Sequence, residues 1–468
     1  MFKEVLFLLT KGNVLQKFKM SKAEKLYQKA PVPIQNSMCS LHGWRIQKRR
    51  FGRPFKMALA AYEERASWSK TQILAYRKSE FERYLQWCSQ HVPAVPTDCE
   101  SIPIVGKLQV RGDIHAYSPP PQVVSSRIEN THTSGTTGGG FIFKTTESAV
   151  ANQWAVWWRY RRLHGIDMTT LCGYFGGRSI VPLKCKAPPF WRTNRPGKQV
   201  MFSGYHLNQN TAKFYVQALN QFRPPWLHGY PSMLSLLAQY MKNASLTLDY
   251  PIKWITIGAE NLLASQKQVI AEAFGVVPIQ HYGLAEGVVN ISQCKCGDLV
   301  VDEDYSFVEF IPNEKGAFRI IGTNWHNQAT AFIRYDTDDH VQLDSTREEC
   351  GCGRYGRIVS SIDGRKEDYI YLKDGTPVGR TDHIFKDMVD LVEAQIFQQA
   401  LGEIVLRIVP GPNYTSSSER QLIESAKQRL GDGCIVNIEV VTEIVRTKTG
   451  KFRQVISAIP PESKSIAL

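Results

Sequence analysis

Residues 254–286 read WITIGAENLLASQKQVIAEAFGVVPIQHYGLAE, and this stretch decides the expected fold. Trp254–Ile257 is predicted to form a buried strand. A helix with one apolar face follows, Gly275 ends it, and Val276–Gln280 is predicted to be the next strand. A strand, a helix and a second strand in this order favour a parallel α/β architecture.

Two polar segments fall at the carboxyl ends of these strands, which is where parallel sheets bind ligands. They are Gly258-Ala259-Glu260 and Tyr282-Gly283-Leu284-Ala285-Glu286. An aromatic ring before a glycine turn can stack on a base, and a carboxylate can hold Mg²⁺ beside phosphates. Taken alone, the second segment fits an ordinary strand end with a surface glutamate better.

The periodicity changes along the chain. Residues 1 to about 125 are predicted to be mostly helical, with the clearest helix over 69–89. After residue 365, helices are expected near 387–400 and 418–430, and strands near 403–409 and 434–441. We therefore predict a large N-terminal α/β domain with mixed or parallel sheets, residues 1–366, and a small α+β domain, residues 367–468.

Composition indicates a globular protein of the cytoplasm. The chain has 468 residues, of which 43% are hydrophobic and 21% charged, and no apolar run is long enough for a membrane span. The short apolar run near the N-terminus does not predict a signal peptide. The net charge of +14 leaves peripheral association with an anionic membrane open, but no motif predicts a nucleic-acid partner.

The strongest local motif is Thr133-Ser134-Gly135-Thr136-Thr137-Gly138-Gly139-Gly140. Glycines let backbone N–H groups approach anionic oxygens, and the hydroxyl groups add donors. This composition is typical of a phosphate-binding loop. It differs from the Walker pattern, and a flexible linker is the alternative interpretation.

Three further motifs follow in order. They are Arg334-Tyr335-Asp336-Thr337-Asp338-Asp339, Gly364-Arg365-Lys366-Glu367-Asp368 and Thr447-Lys448-Thr449-Gly450-Lys451. A carboxylate can accept hydrogen bonds from ribose hydroxyls, and a lysine on a glycine turn can enter an active site as a mobile charge. Individually they also fit an acidic turn, a charged linker and a basic surface turn.

The order and spacing of all five motifs closely resemble the adenylate-forming superfamily of acyl-CoA synthetases. The chain is most similar to the phenylacetate–CoA ligase branch and to the capsular polysaccharide biosynthesis (CapK-type) relatives, because His228-Gly229-Tyr230-Pro231-Ser232 precedes an apolar helix. The resemblance implies a large domain with a mobile C-terminal lid. It spans roughly residues 30–458, as one such pair of domains would.

The resemblance also implies a role for each motif. The Thr133–Gly140 loop would hold the β- and γ-phosphates, and Glu286 would bind Mg²⁺. Tyr282 would flank the adenine opposite the backbone of Gly258, Ala259 and Glu260. Asp339 and Arg365 would bind the ribose hydroxyls, and Glu367 would lie at the hinge. Lys451 would contact the reacting carboxylate and the α-phosphate.

The sequence departs from the family pattern in three segments. Ala285 stands where a threonine is usual, and Asp336 and Asp338 replace an arginine and a glycine. Phe141 stands where many relatives have a lysine. These departures leave open a nucleotide-binding scaffold with impaired catalysis.

Two cysteine pairs, Cys294–Cys296 and Cys350–Cys352, each precede a glycine. Four thiolates are typical of a structural Zn²⁺ site, and fifty-three residues separate Cys296 from Cys350, so the pairs must meet through folding. Buried free thiols are the alternative. The remaining cysteines have no metal-ligand spacing.

The resulting hypothesis is ATP-dependent activation of a carboxylic acid as an acyl-adenylate, with release of pyrophosphate. The acceptor is left open between an amine, for example in surface-polysaccharide assembly, and the CoA thiol. The cofactors expected are ATP, Mg²⁺ and a structural Zn²⁺. The partners expected are a small carboxylic acid and the acceptor, and a homodimer is left open.

Overall fold

The computed structural model describes residues 22–96, 102–133, 141–177, 179–182, 184–260, 262, 264–313, 317–347, 349–363, 370–375, 377–378, 381–385, 388, 390–411, 413–445 and 454–459. The helices in these ranges are α1 (Lys22–Lys29), α2 (Val32–Arg50), α3 (Arg53–Arg65), α4 (Lys70–His91), α5 (Lys107–Gly112), α6 (Glu147–Leu163), α7 (Ala212–Phe222), α8 (Pro231–Asn243), α9 (Ala264–Phe274) and α10 (Ser416–Leu430). Within this part of the chain, no helix combines the length and the apolar character that crossing a membrane would need.

The N-terminal region is helical, as predicted. Helix α4 begins with a capping box: the Ser69 backbone N–H donates to Gln72 Oε1 at 2.9 Å, and the Gln72 N–H donates to Ser69 Oγ at 3.4 Å. The helix buries Tyr84, whose hydroxyl donates to the Asn327 carbonyl at 2.6 Å. The predicted helix over 69–89 is therefore confirmed, and it is attached to the rest of the large domain.

A hairpin leads into a five-stranded sheet. The hairpin is β1 (Ile128–Thr133) with β2 (Phe141–Thr146), and the sheet contains β3 (Cys172–Gly176), β4 (Trp191–Asn194), β5 (Gln199–Ser203), β6 (Trp226–Gly229) and β7 (Trp254–Ile257). The strand order is β4-β5-β3-β6-β7. Strand β4 runs antiparallel to β5, and the other neighbours are parallel. The predicted mixed, largely parallel sheet is confirmed.

The strand predicted over Val276–Gln280 is mostly wrong. Only Ile279 pairs, in a parallel bridge with Thr256 of β7. Pro278 has no N–H to donate, and Val277 is 54% exposed, so the segment does not pair along its length and leaves the Val277 side chain in solvent. The regular strand begins two residues later, at His281.

A seven-stranded antiparallel sheet forms the second layer. It contains β8 (His281–Gly283), β9 (Asn290–Gln293), β10 (Leu299–Val301), β11 (Phe307–Pro312), β12 (Phe318–Thr323), β13 (Tyr335–Asp344) and β14 (Ile358–Asp363). Its order is β11-β12-β13-β14-β10-β9-β8. Helix α6 packs against both sheets: Trp158 contacts Trp226 of β6 with ring centroids 6.0 Å apart, and Tyr160 stacks on His281 of β8 at 5.0 Å.

A buried ion network fastens α6 to its surroundings. The Arg159 guanidinium donates to Asp302 Oδ1 and to Asp304 Oδ2, each at 2.7 Å. Arg65 at the end of α3 also donates to Asp304 Oδ2, at 2.9 Å. All four side chains are buried, so the loss of one partner would leave an uncompensated charge, at a cost of about 3–5 kcal/mol.

The C-terminal part has its own sheet and its own core. The strands are β15 (Ile370–Tyr371), β16 (Pro377–Val378), β17 (Leu391–Ala400), β18 (Glu403–Pro410), β19 (Ile435–Val440) and β20 (Val455–Ser457), with the order β19-β18-β17-β20 in the larger sheet. The helix predicted near 418–430 and the strands near 403–409 and 434–441 are confirmed. The α/β fold class with a smaller α+β unit is confirmed as well.

The helix predicted near 387–400 is wrong, because Leu391–Ala400 is strand β17. This strand pairs with β18 on one side and with β20 on the other. Pairing along both edges, together with burial of Ala394 and Ile396, outweighs the helix preference of its Glu, Ala and Gln residues. The proposed boundary between residues 366 and 367 lies outside the described residues, so the domain division stays a prediction.

Candidate active site

Two residues predicted to bind the nucleotide meet in the structure although 57 positions separate them. The Tyr282 hydroxyl on β8 donates to Asp339 Oδ2 on β13 at 2.7 Å. Asp339 is buried, and Tyr282 is half-buried. The residue expected beside the adenine therefore orients the carboxylate expected at the ribose.

A local irregularity in β13 directs Asp339 to this position. The pairing of β12 with β13 shifts register between Arg319 and Ile321, and Asp338 adopts a left-handed conformation with φ of 61°. The Asp339 N–H donates to Thr337 Oγ1 at 3.2 Å. The acidic segment is therefore a bulged strand, and the alternative of a simple turn closing a hairpin is wrong.

Asp336, one of the departures from the family pattern, has a structural partner. Its Oδ2 lies 3.0 Å from Arg319 Nη2 on the neighbouring strand β12. The carboxylate thus forms a cross-strand ion pair of the kind that stabilises antiparallel sheets. This contact accounts for Asp336 without a role at the nucleotide.

Glu286 lies between β8 and β9 and is buried. The Tyr335 hydroxyl donates to Glu286 Oε1 at 3.3 Å, and Asn324 Nδ2 donates to the Glu286 carbonyl at 2.8 Å. The next residue, Gly287, has φ of +69°, and a Cβ there would lie 2.6 Å from Asn324 Nδ2. The turn that presents the carboxylate therefore requires glycine.

The Gly258-Ala259-Glu260 turn follows β7. Ala259 has φ of +66°, and the Glu260 carboxylate accepts hydrogen bonds from Ser232 N at 3.0 Å and Ser232 Oγ at 2.9 Å. A carboxylate at the first turn of α8 interacts favourably with the helix dipole. A Cβ on Gly258 would lie 3.9 Å from the His281 carbonyl, so the turn approaches β8 one residue before Tyr282.

Several predicted residues lie outside the described part of the chain. They are Ser134, Gly135, Thr136, Thr137 and Gly138 of the loop, Arg365, the hinge residue Glu367, and Lys451. Their roles stay predictions. The backbone of Thr133 ends β1 opposite Phe141 of β2, so this hairpin brackets the loop. Phe141, which stands where relatives have lysine, is buried against Phe143 and Phe332 and belongs to the core.

The four paired cysteines converge, as predicted. Their Sγ atoms all lie within 4.8 Å of one another, which four thiolates at about 2.3 Å from one Zn²⁺ would satisfy. Cys294 and Cys350 are buried, whereas Cys296 and Cys352 are exposed. The convergence is confirmed, and the bound zinc stays a prediction.

Both cysteine pairs have the same backbone geometry. The Cys294 N–H donates to the Asp298 carbonyl at 2.9 Å, and the Cys350 N–H donates to the Arg354 carbonyl at 3.2 Å. In each pair the following glycine has positive φ, 98° at Gly297 and 77° at Gly353. Two matching knuckle turns that each present two thiols fit a closed structural zinc site.

The sequence assigned no role to three side chains near the predicted nucleotide-binding residues. Tyr335 and His281 lie within quoted motifs but received no role. Arg161 lies in α6 among other arginines, and no sequence signal separates it from them. Burial, and secondly the nearby Arg161 charge, lower the pKa of His281 to about 4, so its imidazole is neutral at physiological pH.

Comparison with known proteins places the chain beside CapK. Residues 370–458 match the family described as the CapK C-terminal domain. Protein CapK of Staphylococcus aureus is 24% identical over 454 residues, covering 93% of this chain and 99% of that protein.

Solved structures that the chain resembles include two CoA ligases. An open conformation of 2-hydroxyisobutyryl-CoA ligase with 2-HIB-AMP and CoA is 18% identical, over 81% of this chain and 90% of that chain, with a TM-score of 0.44. A malonyl-CoA ligase with methylmalonyl-CoA and AMP is 18% identical, over 68% of this chain and 71% of that chain, with a TM-score of 0.36. The C-terminal family match and the near full-length alignment confirm the predicted similarity of this chain to CapK-type proteins.

Proposed function

We propose that this protein uses ATP to activate a carboxylic acid as an acyl-adenylate and releases pyrophosphate. The observation that carries the proposal is the 2.7 Å hydrogen bond from Tyr282 to Asp339, with buried Glu286 four residues after Tyr282 and hydrogen-bonded to Tyr335 of β13. The family motifs assign these three side chains to adenine, ribose and Mg²⁺. Their convergence from β8, β13 and the β8–β9 turn fits one nucleotide site.

The chemistry requires positioning and charge neutralisation at the α-phosphate. Glu286 is the residue that would hold Mg²⁺, since one carboxylate together with substrate phosphates is an ordinary Mg²⁺ environment. The ion would neutralise charge that develops on the phosphates. Asp339 would hold the ribose hydroxyls, the 134–140 loop would hold the outer phosphates, and Lys451 would contact the carboxylate oxygen that attacks.

The acyl group would then pass to an amine, and the resemblance to CapK-type relatives supports a role in the assembly of a surface polysaccharide. Transfer to the CoA thiol is the second candidate, because the family motifs are shared with acyl-CoA ligases. Adenylate breakdown that depends on an amine, or on CoA, separates the two. Reduced cysteine thiols and ATP as substrate both fit a cytoplasmic location.

A catalytically impaired nucleotide-binding scaffold is the rival from another class. It is motivated by Ala285 and by the altered Asp336 and Asp338 positions. Against it, Asp336 is accounted for by its ion pair with Arg319, and the side chains of Glu286 and Asp339 are both buried. A scaffold would also have no chemical reason to retain Lys451.

The test is carboxylate-dependent ATP–pyrophosphate exchange with Mg²⁺, run across aryl, fatty, hydroxy and amino acids. Wild type is compared with Lys451→Ala and with Lys427→Ala, a control on an exposed position of α10. We expect exchange with one class of acid, lost at least 100-fold in Lys451→Ala and retained in the control. ATP binding without exchange would support the scaffold, and the absence of ATP binding would refute adenylation.

A further inference from the structure

Helix α6 also buries the guanidinium of Arg161. Unlike Arg159, this residue has no acidic partner among the described residues. The residue is 6% exposed, and its Nε is buried without a hydrogen-bond partner. Within the described ranges no Asp or Glu lies at ion-pair distance from it. Removing a full positive charge from water costs several kcal/mol unless a negative group compensates it.

The neighbours of this guanidinium do not supply that compensation. It lies 5.2 Å from the Trp158 ring centroid, 5.4 Å from that of Tyr160 and 5.6 Å from that of Trp226. The ring faces attract a cation but carry no net charge.

The titratable groups nearby are neutral as well. Burial, followed by the charge of Arg161, lowers the pKa of His228 to about 3, and burial raises the pKa of the Cys172 thiol. His281, with its lowered pKa, is also uncharged at physiological pH. The positive charge of Arg161 is therefore unmatched among the described residues around it.

Other buried arginines of this chain have carboxylate or hydrogen-bonding partners. Arg159, two residues earlier on α6, meets two carboxylates, and Arg354 pairs with Asp302. Arg192, which also lacks a carboxylate, donates to Gln35 Oε1 and to two backbone carbonyls. Arg161 has neither kind of partner, which is typical of a group that meets its counter-charge in a ligand.

The position of Arg161 relative to the nucleotide residues identifies the part of the ligand it faces. Along α6, Gln153 Nε2 donates to the Leu284 carbonyl at 2.7 Å, and Tyr160 stacks on His281. Helix α6 therefore runs antiparallel to residues 281–284. Arg161, near the C-terminal end of the helix, lies on the side of Tyr282 away from Glu286. Glu286, the expected Mg²⁺ residue, marks the phosphate end of the site, and adenosine itself carries no anion, so the counter-charge that Arg161 meets would come from the acid substrate.

We propose that Arg161 is a specificity residue that binds a second anionic oxygen group at the far end of the acid substrate. The substrate class is then a carboxylic acid that carries another carboxylate or a comparable anion, with the aromatic rings of Trp158 and Trp226 packing beside it. This inference rests on the proposed adenylation. His228 and His281, being neutral, can donate or accept hydrogen bonds to the same group without repelling it.

The test uses acids matched in shape that differ in the distal charge: glutarate with pentanoate, adipate with hexanoate, and terephthalate with 4-methylbenzoate. ATP–pyrophosphate exchange is measured for wild type, Arg161→Met, Arg161→Lys and the neighbouring control Arg162→Met. Arg162 is 40% exposed and pairs with Glu63 and Asp167, so its replacement removes a surface charge and two exposed ion pairs without touching the buried cluster. Melting temperatures are measured in parallel with AMP and each acid.

We expect wild type to prefer the diacid of the best pair at least tenfold in kcat/KM. Arg161→Met should lose or invert this preference while still exchanging with the uncharged partner, Arg161→Lys should retain part of it, and Arg162→Met should match wild type. If Arg161→Met does not fold, two wild-type measurements decide the proposal. They are the preference for the diacid in exchange and the rise in melting temperature that the diacid causes. Exchange that favours the uncharged acids in wild type, or a preference unchanged in Arg161→Met, overturns the role of Arg161 and leaves adenylation standing. Silence with all six acids and with the broad acid panel in a protein that binds ATP refutes adenylation itself.

Discussion

The hydrogen bond between Tyr282 and Asp339 supports a quantitative prediction. The substitution Tyr282→Phe removes one hydroxyl and keeps the ring that is expected to flank the adenine. Asp339 is 7% exposed, so its carboxylate loses a charge-assisted hydrogen bond made at 2.7 Å. Such bonds contribute about 1.5–3 kcal/mol, and because Tyr282 is half-buried, water should recover part of this.

We therefore expect the free energy of unfolding to fall by about 1–2 kcal/mol in Tyr282→Phe. ATP affinity should fall roughly threefold to tenfold, since 1.4 kcal/mol corresponds to a factor of ten. Asp339→Ala, which removes the ribose contact itself, should weaken ATP binding more. Urea unfolding and calorimetry with ATP measure the two quantities.

The double variant provides the sharper test. Once Asp339 is absent, the Tyr282 hydroxyl has nothing to orient, so the double variant should bind ATP as weakly as Asp339→Ala alone. The control is Tyr250→Phe, which removes a hydroxyl that donates to the Pro224 carbonyl at 3.2 Å beside the five-stranded sheet. Its ATP affinity should equal that of wild type. Additive effects in the double variant, or full ATP affinity in Asp339→Ala, would refute the assignment of this pair to the nucleotide.

Two further predictions concern the cysteine cluster and the buried ion network. Protein purified without chelator should contain one zinc per chain by mass spectrometry. Cys296→Ser should lose most of this zinc and melt at a lower temperature, whereas the control Cys185→Ser should keep it. A wild-type protein with little zinc would contradict the site. Burial alone would raise the pKa of Asp304, but the guanidinium groups of Arg159 and Arg65 lower it to about 2. The folded pKa lies below the unfolded value of about 4, so this stabilisation is present above pH 4 and is lost as the pH falls toward 2. Urea unfolding of wild type and Asp304→Asn should show their difference in stability shrinking over that range, and a constant difference would contradict the pairing.

Periodicity predicted the parts of the fold that depend on local pattern. Trp254–Ile257 is a strand with the predicted bounds, and Ser69 begins the predicted helix α4. The segment Leu391–Ala400 was predicted wrongly because its residues favour a helix in isolation, whereas β18 and β20 pair with both of its edges. Pairing with strands distant in sequence leaves no local signal that could have corrected the prediction.

In the candidate site, too, some features follow from the sequence pattern and others depend on contacts between segments distant in sequence. Tyr282, Glu286 and Asp339 could be predicted as nucleotide-site residues from the order and spacing of the motifs. The structure brings Tyr282 and Asp339 into contact. The bulge that turns Asp339 inward could not be predicted, because it arises from the register between β12 and β13. The meeting of the two cysteine pairs was predictable only as a requirement of a four-thiolate site, not from the fold.

Arg159 and Arg161 illustrate why charge alone does not reveal function. They are two residues apart on α6 and both are buried, and in the sequence they are equivalent members of one basic run. The structure gives Arg159 two carboxylates and gives Arg161 only ring faces and neutral groups. A paired buried arginine stabilises the fold, and its loss lowers stability. An unpaired one costs stability, so Arg161→Met should not destabilise the protein without ligand, whereas Arg159→Met should do so by about 3–5 kcal/mol.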